Sequence, residues 1–222
     1  MATFLQEYGY RGFMILGMPV IILLTVCRRK QYGMSVLAAI LYMLTHLTVG
    51  IFGAVTLFAA KNEFTSFSGM AFYGGIFLIL VTMPLLARLF RLTPGQALDV
   101  SAPALAAYSA VFRFGCLVEG CCGGSLCNLG SISFRWPTQM MESFGDVLIL
   151  AVLLQMSHKE KKQGLLYPTF LVMYGTMRFV IECLRDMEPL LFGLTEGHWN
   201  SLLAIVIGSV WLFRKSGKSG KQ

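Results

Sequence analysis

Two arginines stand in stretches of sequence that are apolar enough to cross a membrane. Arg113 follows Ala-Tyr-Ser-Ala-Val-Phe, and Arg178 follows Phe-Leu-Val-Met-Tyr-Gly-Thr-Met. A charge at the centre of a bilayer costs at least ~2.5–3.5 kcal/mol, so such a residue indicates a functional site. Glu182 and Arg185 come four and seven positions after Arg178, which places the three side chains on one helix face. Two guanidinium groups and one carboxylate leave a net positive charge, which suits the bidentate binding of a phosphate.

A plainer interpretation of this pattern is an i, i+4 ion pair that neutralises both charges so that the helix can enter the membrane. A further carboxylate, Glu142, stands one turn into another apolar stretch and shares a helix face with Gln139. A carboxylate at that depth needs a cationic partner. We expect Arg113, Arg135 or Arg178 to supply it.

Arg113 also begins a segment rich in glycine and cysteine, Arg-Phe-Gly-Cys-Leu-Val-Glu-Gly-Cys-Cys-Gly-Gly. Its glycines allow the backbone to approach another backbone or a ligand closely, and they mark a helix end and a tight loop. Four cysteines crowd this region: Cys116, Cys121, Cys122 and Cys127. Three interpretations stay open, namely a disulfide in an oxidising compartment, buried unpaired thiols, or a zinc site. The spacing contains no Cys-x-x-Cys and no nearby histidine, which counts against zinc.

Tyr73 opens another apolar stretch and is followed by Gly74 and Gly75. A tyrosine in such a place is often an interfacial aromatic residue. The adjacent glycine pair favours a position that faces a ligand. The histidines share no spacing with one another, so a histidine-based triad is not indicated; they are His46, His158 and His198.

Membrane helices are the elements that must carry these residues. Hydrophobic residues make up 56% of the 222-residue chain and charged residues 13%, about half of the ~25% charged residues in a soluble domain. The apolar runs are continuous rather than alternating, which favours helices over a β-barrel. We therefore predict an all-α integral membrane protein with about seven transmembrane helices. The runs lie near residues 9–27, 35–60, 70–90, 97–117, 137–157, 164–184 and 199–213.

The basic residues sort to one side of this arrangement. Twelve of the 18 follow the first, third, fifth and seventh runs: Arg28, Arg29, Lys30, Arg88, Arg91, Lys159, Lys161, Lys162, Arg214, Lys215, Lys218 and Lys221. The positive-inside rule makes that side cytoplasmic, so we expect the N-terminus outside and the C-terminus in the cytoplasm. The net charge of +7 is thus a topology signal and does not indicate a nucleic-acid partner. We expect a retained first helix, one polytopic domain over residues 1–213 and a polar cytoplasmic tail at 214–222.

Several ordered motifs in this chain resemble those of the prolipoprotein diacylglyceryl transferases. Arg-Phe-Gly-Cys-Leu-Val-Glu-Gly at 113–120 is similar to the family's Gly-Arg-Ile-Gly-Asn-Phe-x-Asn-Gly. Pro-Thr-Gln-Met-Met-Glu-Ser at 137–143 is similar to its Pro-Thr-Gln-Leu-Tyr-Glu-Ser. Tyr-Gly-Thr-Met-Arg-Phe-Val-Ile-Glu-Cys-Leu-Arg at 174–185 is similar to its Tyr-Gly-x-x-Arg-Phe-x-x-Glu-x-x-Arg. With Tyr10 at a family tyrosine, the resemblance covers residues 10–208.

Three positions depart from the family's pattern. Tyr73 stands where the family has the histidine of His-Gly-Gly, a residue often assigned a central catalytic role. Cys116 replaces the signature asparagine, and Cys121 stands at a later acidic position.

The resemblance implies a fold of seven helices and a specific reaction at the outer side of the bacterial cytoplasmic membrane. A diacylglyceryl group would pass from phosphatidylglycerol to the lipobox cysteine thiol of a prolipoprotein, with glycerol phosphate as by-product. The implied partners are these two substrates and membrane lipids, and neither a metal nor an organic cofactor is implied.

The same resemblance implies roles for individual residues. Arg113 and Arg178 would stabilise the departing phosphate, and Glu182 would orient an arginine. Tyr73, a phenol whose reference pKa is about 10, would donate a hydrogen bond from the place of the histidine. The implied lipid- or phosphate-binding positions are Tyr10, Gly74, Gly75, Gly115, Cys116, Glu119, Gly124, Gln139, Glu142 and Arg185.

Two other functions stay open at this point. The chain is alternatively a family paralogue with a different acceptor, or a lipid-binding protein without catalysis, since a fold alone does not determine function. The second open function is a membrane thiol–disulfide oxidoreductase that uses the four clustered cysteines. Redox motifs usually contain Cys-x-x-Cys, and this spacing does not.

Overall fold

Helices dominate the computed structural model, which describes residues 2–66, 71–129, 132–159 and 164–219. Seven α-helices lie within these ranges: α1 Ala2–Arg28, α2 Val36–Lys61, α3 Phe72–Leu89, α4 Pro94–Glu119, α5 Thr138–Lys159, α6 Leu166–Glu182 and α7 Glu196–Ser219. A short 3-10 helix, Arg29–Tyr32, follows α1. All seven predicted helices are present, so the all-α prediction is confirmed.

Five segments are long and apolar enough to cross a membrane, judged by length and composition: Arg11–Tyr32, Val36–Lys61, Phe72–Leu89, Pro94–Glu119 and Thr138–His158. The other two helices, α6 and α7, are not among these five within the described residues. α6 has only 17 residues and contains the buried charges of Arg178 and Glu182. The structure therefore supports an integral membrane protein with at least these five candidate spans.

Some boundaries differ from the sequence prediction. α1 begins at Ala2 rather than near residue 9, and α7 continues through residues 214–219, which we had assigned to the polar tail. Residues 220–222 lie outside the described part of the chain, as do Lys161 and Lys162. The segment between α4 and α5 contains an antiparallel hairpin that we did not predict. Its strands are β1, Leu126–Leu129, and β2, Ile132–Arg135.

Helix α4 is the central element, because it packs against α1, α3, α5 and α6. Its many alanines, most of them buried, let neighbouring backbones approach closely, as small residues do in membrane helices. A capping box between Thr93 and Gln96 begins the helix, with a proline in its first turn. Gly120 ends it in a left-handed conformation at φ 75°, which glycine adopts without steric cost. The chain turns there, so the cysteines that follow stay close to the end of α4.

Close glycine contacts join α2 to α3. A Cβ atom built on Gly74 would lie 2.6 Å from Leu57 Cβ, and one on Gly75 would lie 2.7 Å from the carbonyl oxygen of Gly50. Real Cβ atoms do not approach other atoms so closely, so helix packing accounts for both glycines. Our expectation that this pair faces a ligand is therefore corrected: the backbone that approaches Gly74 and Gly75 is that of α2.

A separate polar cluster lies near the beginning of α4. Buried Asp99 accepts hydrogen bonds from the backbone N–H groups of Gly164 at 2.5 Å and Leu166 at 2.9 Å. His46 is also buried, with its Nε2 2.7 Å from the Ser101 hydroxyl. Arg113 lies 12 residues after Ser101, about 18 Å further along α4 at 1.5 Å per residue. His46 therefore belongs to the helix core, away from the arginine region.

Candidate functional site

Four buried charged residues from three helices form one ion-pair network. Arg113 of α4 and Arg178 of α6 bind the two oxygens of Glu142 of α5, at 2.5 Å and 2.6 Å. Arg178 also binds Glu182 at 2.8 Å, one turn along α6. The residues are between 1% and 8% exposed. The partner expected for Glu142 is thus two arginines, while Arg135 instead donates to the carbonyl of Gly124.

Arg185 extends the network from the turn after α6. That helix ends at Glu182, so Arg185 does not share its helical face as the spacing suggested, but its Nη1 lies 3.7 Å from Glu182 Oε2. Asp146, one turn after Glu142, is fully buried beside the Ser109 hydroxyl and makes no ion pair among the described residues. Such a carboxyl group is far less costly to bury in its neutral form. Three arginines and two carboxylates then leave a net charge of about +1.

A cavity of about 930 Å³ opens beside this network. Its lining includes residues of α2, α3, α4, α6 and α7, and the segment after α6 completes it. The cavity-lining residues that the sequence had singled out are Tyr73, Arg113, Cys116, Glu119, Arg178, Glu182 and Arg185. A salt bridge of 2.7 Å between Lys61 and Glu196 joins the end of α2 to the start of α7 at the same cavity.

Several polar atoms at the cavity lack a protein partner. The buried Nε atoms of Arg113 and Arg185 and the hydroxyl of Tyr174 make no hydrogen bond among the described residues. All three side chains line the cavity. Buried donors are satisfied in the great majority of cases, so these three groups indicate a ligand with acceptor oxygens. Tyr174 had appeared in a sequence motif but not among our candidate site residues.

The hydroxyl of Tyr73 is already engaged. Its Oη lies 2.8 Å from Ser201 Oγ, and Ser201 donates to the carbonyl of Gly197 at 2.6 Å. Tyr73 therefore donates its only proton to Ser201, which joins α3 to α7. The ring packs against Tyr174 at a centroid distance of 5.6 Å. Tyr73 positions helices at the edge of the cavity, and its hydroxyl proton is not directed at a ligand.

Three cysteines converge on the cavity from the end of α4. The Sγ atoms of Cys116, Cys121 and Cys122 all lie within 4.8 Å of one another. We call this group the thiol cluster. All six cysteines of the chain lie in described ranges and are free thiols, so the structure does not contain the disulfide that headed our interpretations. Cys127, on β1, is not part of the cluster.

The first turn of α5 holds the loop of the thiol cluster in place. Gln139 Nε2 donates to the carbonyl of Cys121 at 2.6 Å, and the Thr138 hydroxyl donates to that of Cys122 at 2.8 Å. Cys122 has a φ of 62°, a left-handed conformation that costs a residue with a side chain roughly 1–2 kcal/mol. Residues held in such conformations cluster at functional sites. Gln139 thus acts through the loop and does not line the cavity.

The two loop cysteines differ in acidity. A hydrogen bond from the Cys116 thiol, helped by the charges of Arg113 and Arg185, lowers the pKa of Cys122 to about 5 against the opposing effect of burial. Burial, together with the neighbouring charge of Cys122, raises the pKa of Cys121 to about 12. At neutral pH Cys122 is therefore the thiolate of the loop, and Cys121 is a neutral thiol.

A hydrogen-bonded chain that the sequence did not reveal supports Glu182. The Thr195 hydroxyl lies 2.9 Å from Glu182 Oε1 and 2.9 Å from His198 Nδ1. His198 Nε2 lies 3.4 Å from Cys183 Sγ. Thr195 and His198 belong to the start of α7 and its approach, so no spacing within α6 indicates this contact. The chain orients Glu182, which in turn binds Arg178.

Among the remaining predicted site residues whose side chains the structure describes, Glu119 alone lines the cavity, at the exposed end of α4. Gly115 is buried within α4. A Cβ atom on Gly124 would lie 2.5 Å from Trp136 Cβ, so this glycine permits loop packing. Tyr10 lies in α1, and its side chain is outside the described residues.

Comparison with known proteins gives consistent matches. A family model described as prolipoprotein diacylglyceryl transferase matches residues 4–214. The chain is similar to the phosphatidylglycerol–prolipoprotein diacylglyceryl transferases of Cupriavidus pinatubonensis, at 31% identity, and Streptococcus pyogenes, at 28%. These alignments cover 69% and 68% of this chain but only 62% and 64% of the relatives, less than two thirds of their length. The enzyme of the same name from Clostridium tetani is 26% identical over 92% of this chain and 91% of its own.

Proposed function

Because the chain belongs to the prolipoprotein diacylglyceryl transferase family, we propose that it transfers a diacylglyceryl group from phosphatidylglycerol to a prolipoprotein. The acceptor is the thiol of the lipobox cysteine. The observation that carries this proposal is the cavity of about 930 Å³ beside an ion-pair network with excess positive charge. A cavity of this size is large enough for a lipid headgroup and the acceptor side chain, since ligand pockets measure about 300–1,000 Å³.

The arginines supply the binding of the lipid phosphate. The side chains of Arg113, Arg185 and Tyr174 line the cavity, and each has a buried donor without a hydrogen-bond partner among the described residues. A phosphodiester has acceptor oxygens for such donors, and a planar guanidinium group binds them bidentately. Glu142 holds Arg113 and Arg178 at a defined separation, so the positive charge is in place before the lipid enters.

The reaction forms one bond and breaks another. The acceptor sulfur, as a thiolate, attacks the glyceryl carbon that carries the phosphate. A carbon–sulfur bond forms, the carbon–oxygen bond breaks, and its electron pair leaves with glycerol phosphate. Negative charge grows on the leaving phosphate, where Arg113 and Arg178 stabilise it. Preorganised donors of this kind contribute about 10²–10³-fold each to the rate.

The membrane arrangement follows from the charge of the loops. We propose that all seven helices span the bacterial cytoplasmic membrane, with the N-terminus outside and the C-terminus in the cytoplasm. Basic loops after α1 and α3 and the basic end of α7 support this orientation. The cavity then opens toward the outer side, where Lys61 and Glu196 lie. Residues 1–213 form one polytopic domain, and residues 214–222 are its cytoplasmic end.

A direct test uses the full-length protein in detergent or in vesicles with phosphatidylglycerol and a lipobox peptide. We expect a peptide product whose cysteine carries a diacylglyceryl thioether, detected by mass spectrometry, and release of glycerol phosphate. A peptide with serine in place of the lipobox cysteine is the control. Absence of the thioether in every lipid and detergent condition contradicts the proposal.

A second candidate is a family paralogue with another acceptor, or one that binds lipid without catalysis. The observation that favours it is Tyr73, which stands at the family's histidine position and whose proton is donated to Ser201. The variant Tyr73→His, with Tyr73→Phe as control, separates the two candidates. If thioether appears only with Tyr73→His, the natural chain is not a transferase for this acceptor.

A further inference from the structure

The thiol cluster has the composition and spacing of a metal site. Its three Sγ atoms, from Cys116, Cys121 and Cys122, lie within 4.8 Å of one another. Tetrahedral zinc with Zn–S bonds of ~2.3 Å holds its sulfurs about 3.8 Å apart. Side-chain rotations that move the sulfurs by roughly 1 Å would therefore bring them to the spacing of zinc ligands. Three thiolates also suit a soft metal ion chemically.

The protein around the cluster is built to hold it. Gln139 and Thr138 bind the carbonyls of Cys121 and Cys122, and Cys122 is kept in a left-handed backbone conformation. Such contacts to the ligand-bearing segment are the usual support of metal sites. Three thiolates and one Zn²⁺ leave a charge of about −1, and the guanidinium groups of Arg113 and Arg185 face the cluster. These neighbouring positive charges lower the cost of holding that negative charge at the edge of the cavity.

The geometry also leaves a coordination position open. All three cysteines line the cavity of about 930 Å³, and no fourth His, Cys, Asp or Glu belongs to their group among the described residues, so a zinc held there would have a position for a ligand from the cavity. Structural zinc sites have four protein ligands, whereas sites that act on a substrate have three and an open position. The substrate that suits a thiophilic metal here is the acceptor's own thiol.

We propose that Cys116, Cys121 and Cys122 bind Zn²⁺, and that the open position of this zinc binds the acceptor cysteine as a thiolate. This inference rests on the proposed transfer function. A thiol that coordinates zinc loses its proton, which passes to water in the cavity. The electron pair of the bound sulfur then forms the carbon–sulfur bond, and the carbon–oxygen bond breaks with its electrons leaving on the phosphate. Zinc thereby does what a histidine base would do, in a chain where Tyr73 has its proton engaged with Ser201.

The first experiment measures metal binding without reference to activity. The full chain is purified in detergent, reduced, stripped of metal and supplied with Zn²⁺ or Co²⁺. We expect one zinc per chain by elemental analysis, and with cobalt the charge-transfer absorption of thiolate ligands. Cys116→Ser, Cys121→Ser and Cys122→Ser each lose both signals. The matched controls Cys27→Ser and Cys127→Ser, whose thiols lie outside the cluster, keep them, and size-exclusion profiles verify that every variant is folded.

The second experiment separates this inference from the proposed function. Transfer to the lipobox peptide is measured with metal-free protein before and after Zn²⁺ is restored. We expect restoration to raise the rate at least about 100-fold, the lower end of what a general base contributes. Transfer that is equally fast without metal overturns the inference but leaves the function intact. Zinc binding at the cluster without transfer in any condition contradicts the function and leaves the metal site intact.

The same preparations test whether the cluster thiols form a disulfide instead of binding zinc. Mass spectrometry of the untreated protein shows whether two cluster cysteines form a disulfide. A disulfide, combined with no zinc binding after reduction, overturns the metal site. Loss of zinc in the Cys127→Ser control to the same extent as in the cluster variants overturns it as well.

Discussion

Glu142 is the single residue on which the buried charges depend most. It is 1% exposed and binds Arg113 and Arg178 through its two oxygens. We expect Glu142→Gln to destabilise the protein by about 3–5 kcal/mol, because it leaves two buried guanidinium groups without their shared anion. Thermal unfolding in detergent measures this. Glu63→Gln, at an exposed position, is the control, and equal melting temperatures for the two variants contradict the prediction.

Arg178 tests whether bidentate geometry or charge alone matters. Its two terminal nitrogens bind different carboxylates, Glu142 and Glu182, and a lysine cannot make both contacts with one ammonium group. We expect Arg178→Lys to lower the rate of transfer by about 10²–10³-fold while the protein remains folded. Arg135→Lys, at a residue whose guanidinium group donates to a loop carbonyl and has no ion pair among the described residues, should retain activity. Full activity in Arg178→Lys would show that positive charge suffices.

The acidity of Cys122 predicts which thiol reacts in reduced, metal-free protein. Its pKa is lowered to about 5 and that of Cys121 is raised to about 12, so at pH 7 Cys122 is the thiolate of these two. Alkylation should therefore be faster at Cys122, and its rate should fall as the pH is lowered through about 5 because the sulfur is then protonated. Peptide mapping after brief labelling measures both sites. Faster labelling of Cys121 at pH 7 contradicts this assignment.

At the scale of elements, the α2–α3 contact limits the size of residue 74. A Cβ atom there would lie 2.6 Å from Leu57 Cβ, and overpacking of this kind costs about 1–3 kcal/mol. We expect Gly74→Ala to lower the melting temperature. Gly12→Ala makes the same change in α1, where a Cβ atom meets nothing within 4 Å, and should be neutral or stabilising by up to ~1 kcal/mol. Equal effects of the two substitutions contradict a packing role.

The helices could be predicted from sequence because each apolar run is a local signal, and the end of α4 is marked by Gly120. The role of Gly74 and Gly75 could not, because it depends on α2 residues that lie about 20 positions earlier in the chain. The hairpin of β1, Leu126–Leu129, and β2, Ile132–Arg135, was also missed, since four-residue strands carry little alternation. His198 shares its contact with Glu182 through Thr195, a relation between two elements that neither segment shows alone.

The part of the site that lies within one helix could be predicted from the sequence. Arg178 and Glu182 lie one turn apart, so their pairing follows from helical spacing. The contact between Arg113 and Glu142 joins two different helices. The sequence could therefore name possible partners for Glu142 but could not select among them. Asp146 was overlooked, although its i, i+4 spacing from Glu142 on one helix was available as a signal.

At the scale of the whole molecule, the orientation in the membrane is open to measurement. We expect a fluorescent protein fused after residue 222 to fluoresce in the cytoplasm, and alkaline phosphatase fused there to be inactive, because the basic loops hold that end inside. A phosphatase fused in the α2–α3 segment near Lys61 should be active. Activity of the C-terminal phosphatase fusion contradicts the proposed orientation.

The excess guanidinium group of the network has a consequence for turnover. Three arginines share two carboxylates, so the network itself offers one positive charge in excess to an anion that enters the cavity. The lipid that enters and the glycerol phosphate that leaves are both anions. Each catalytic cycle then resembles the exchange of ions on a resin: the product departs most readily when another lipid phosphate replaces it. Inorganic phosphate, as a competing counterion, should slow this exchange as its concentration rises.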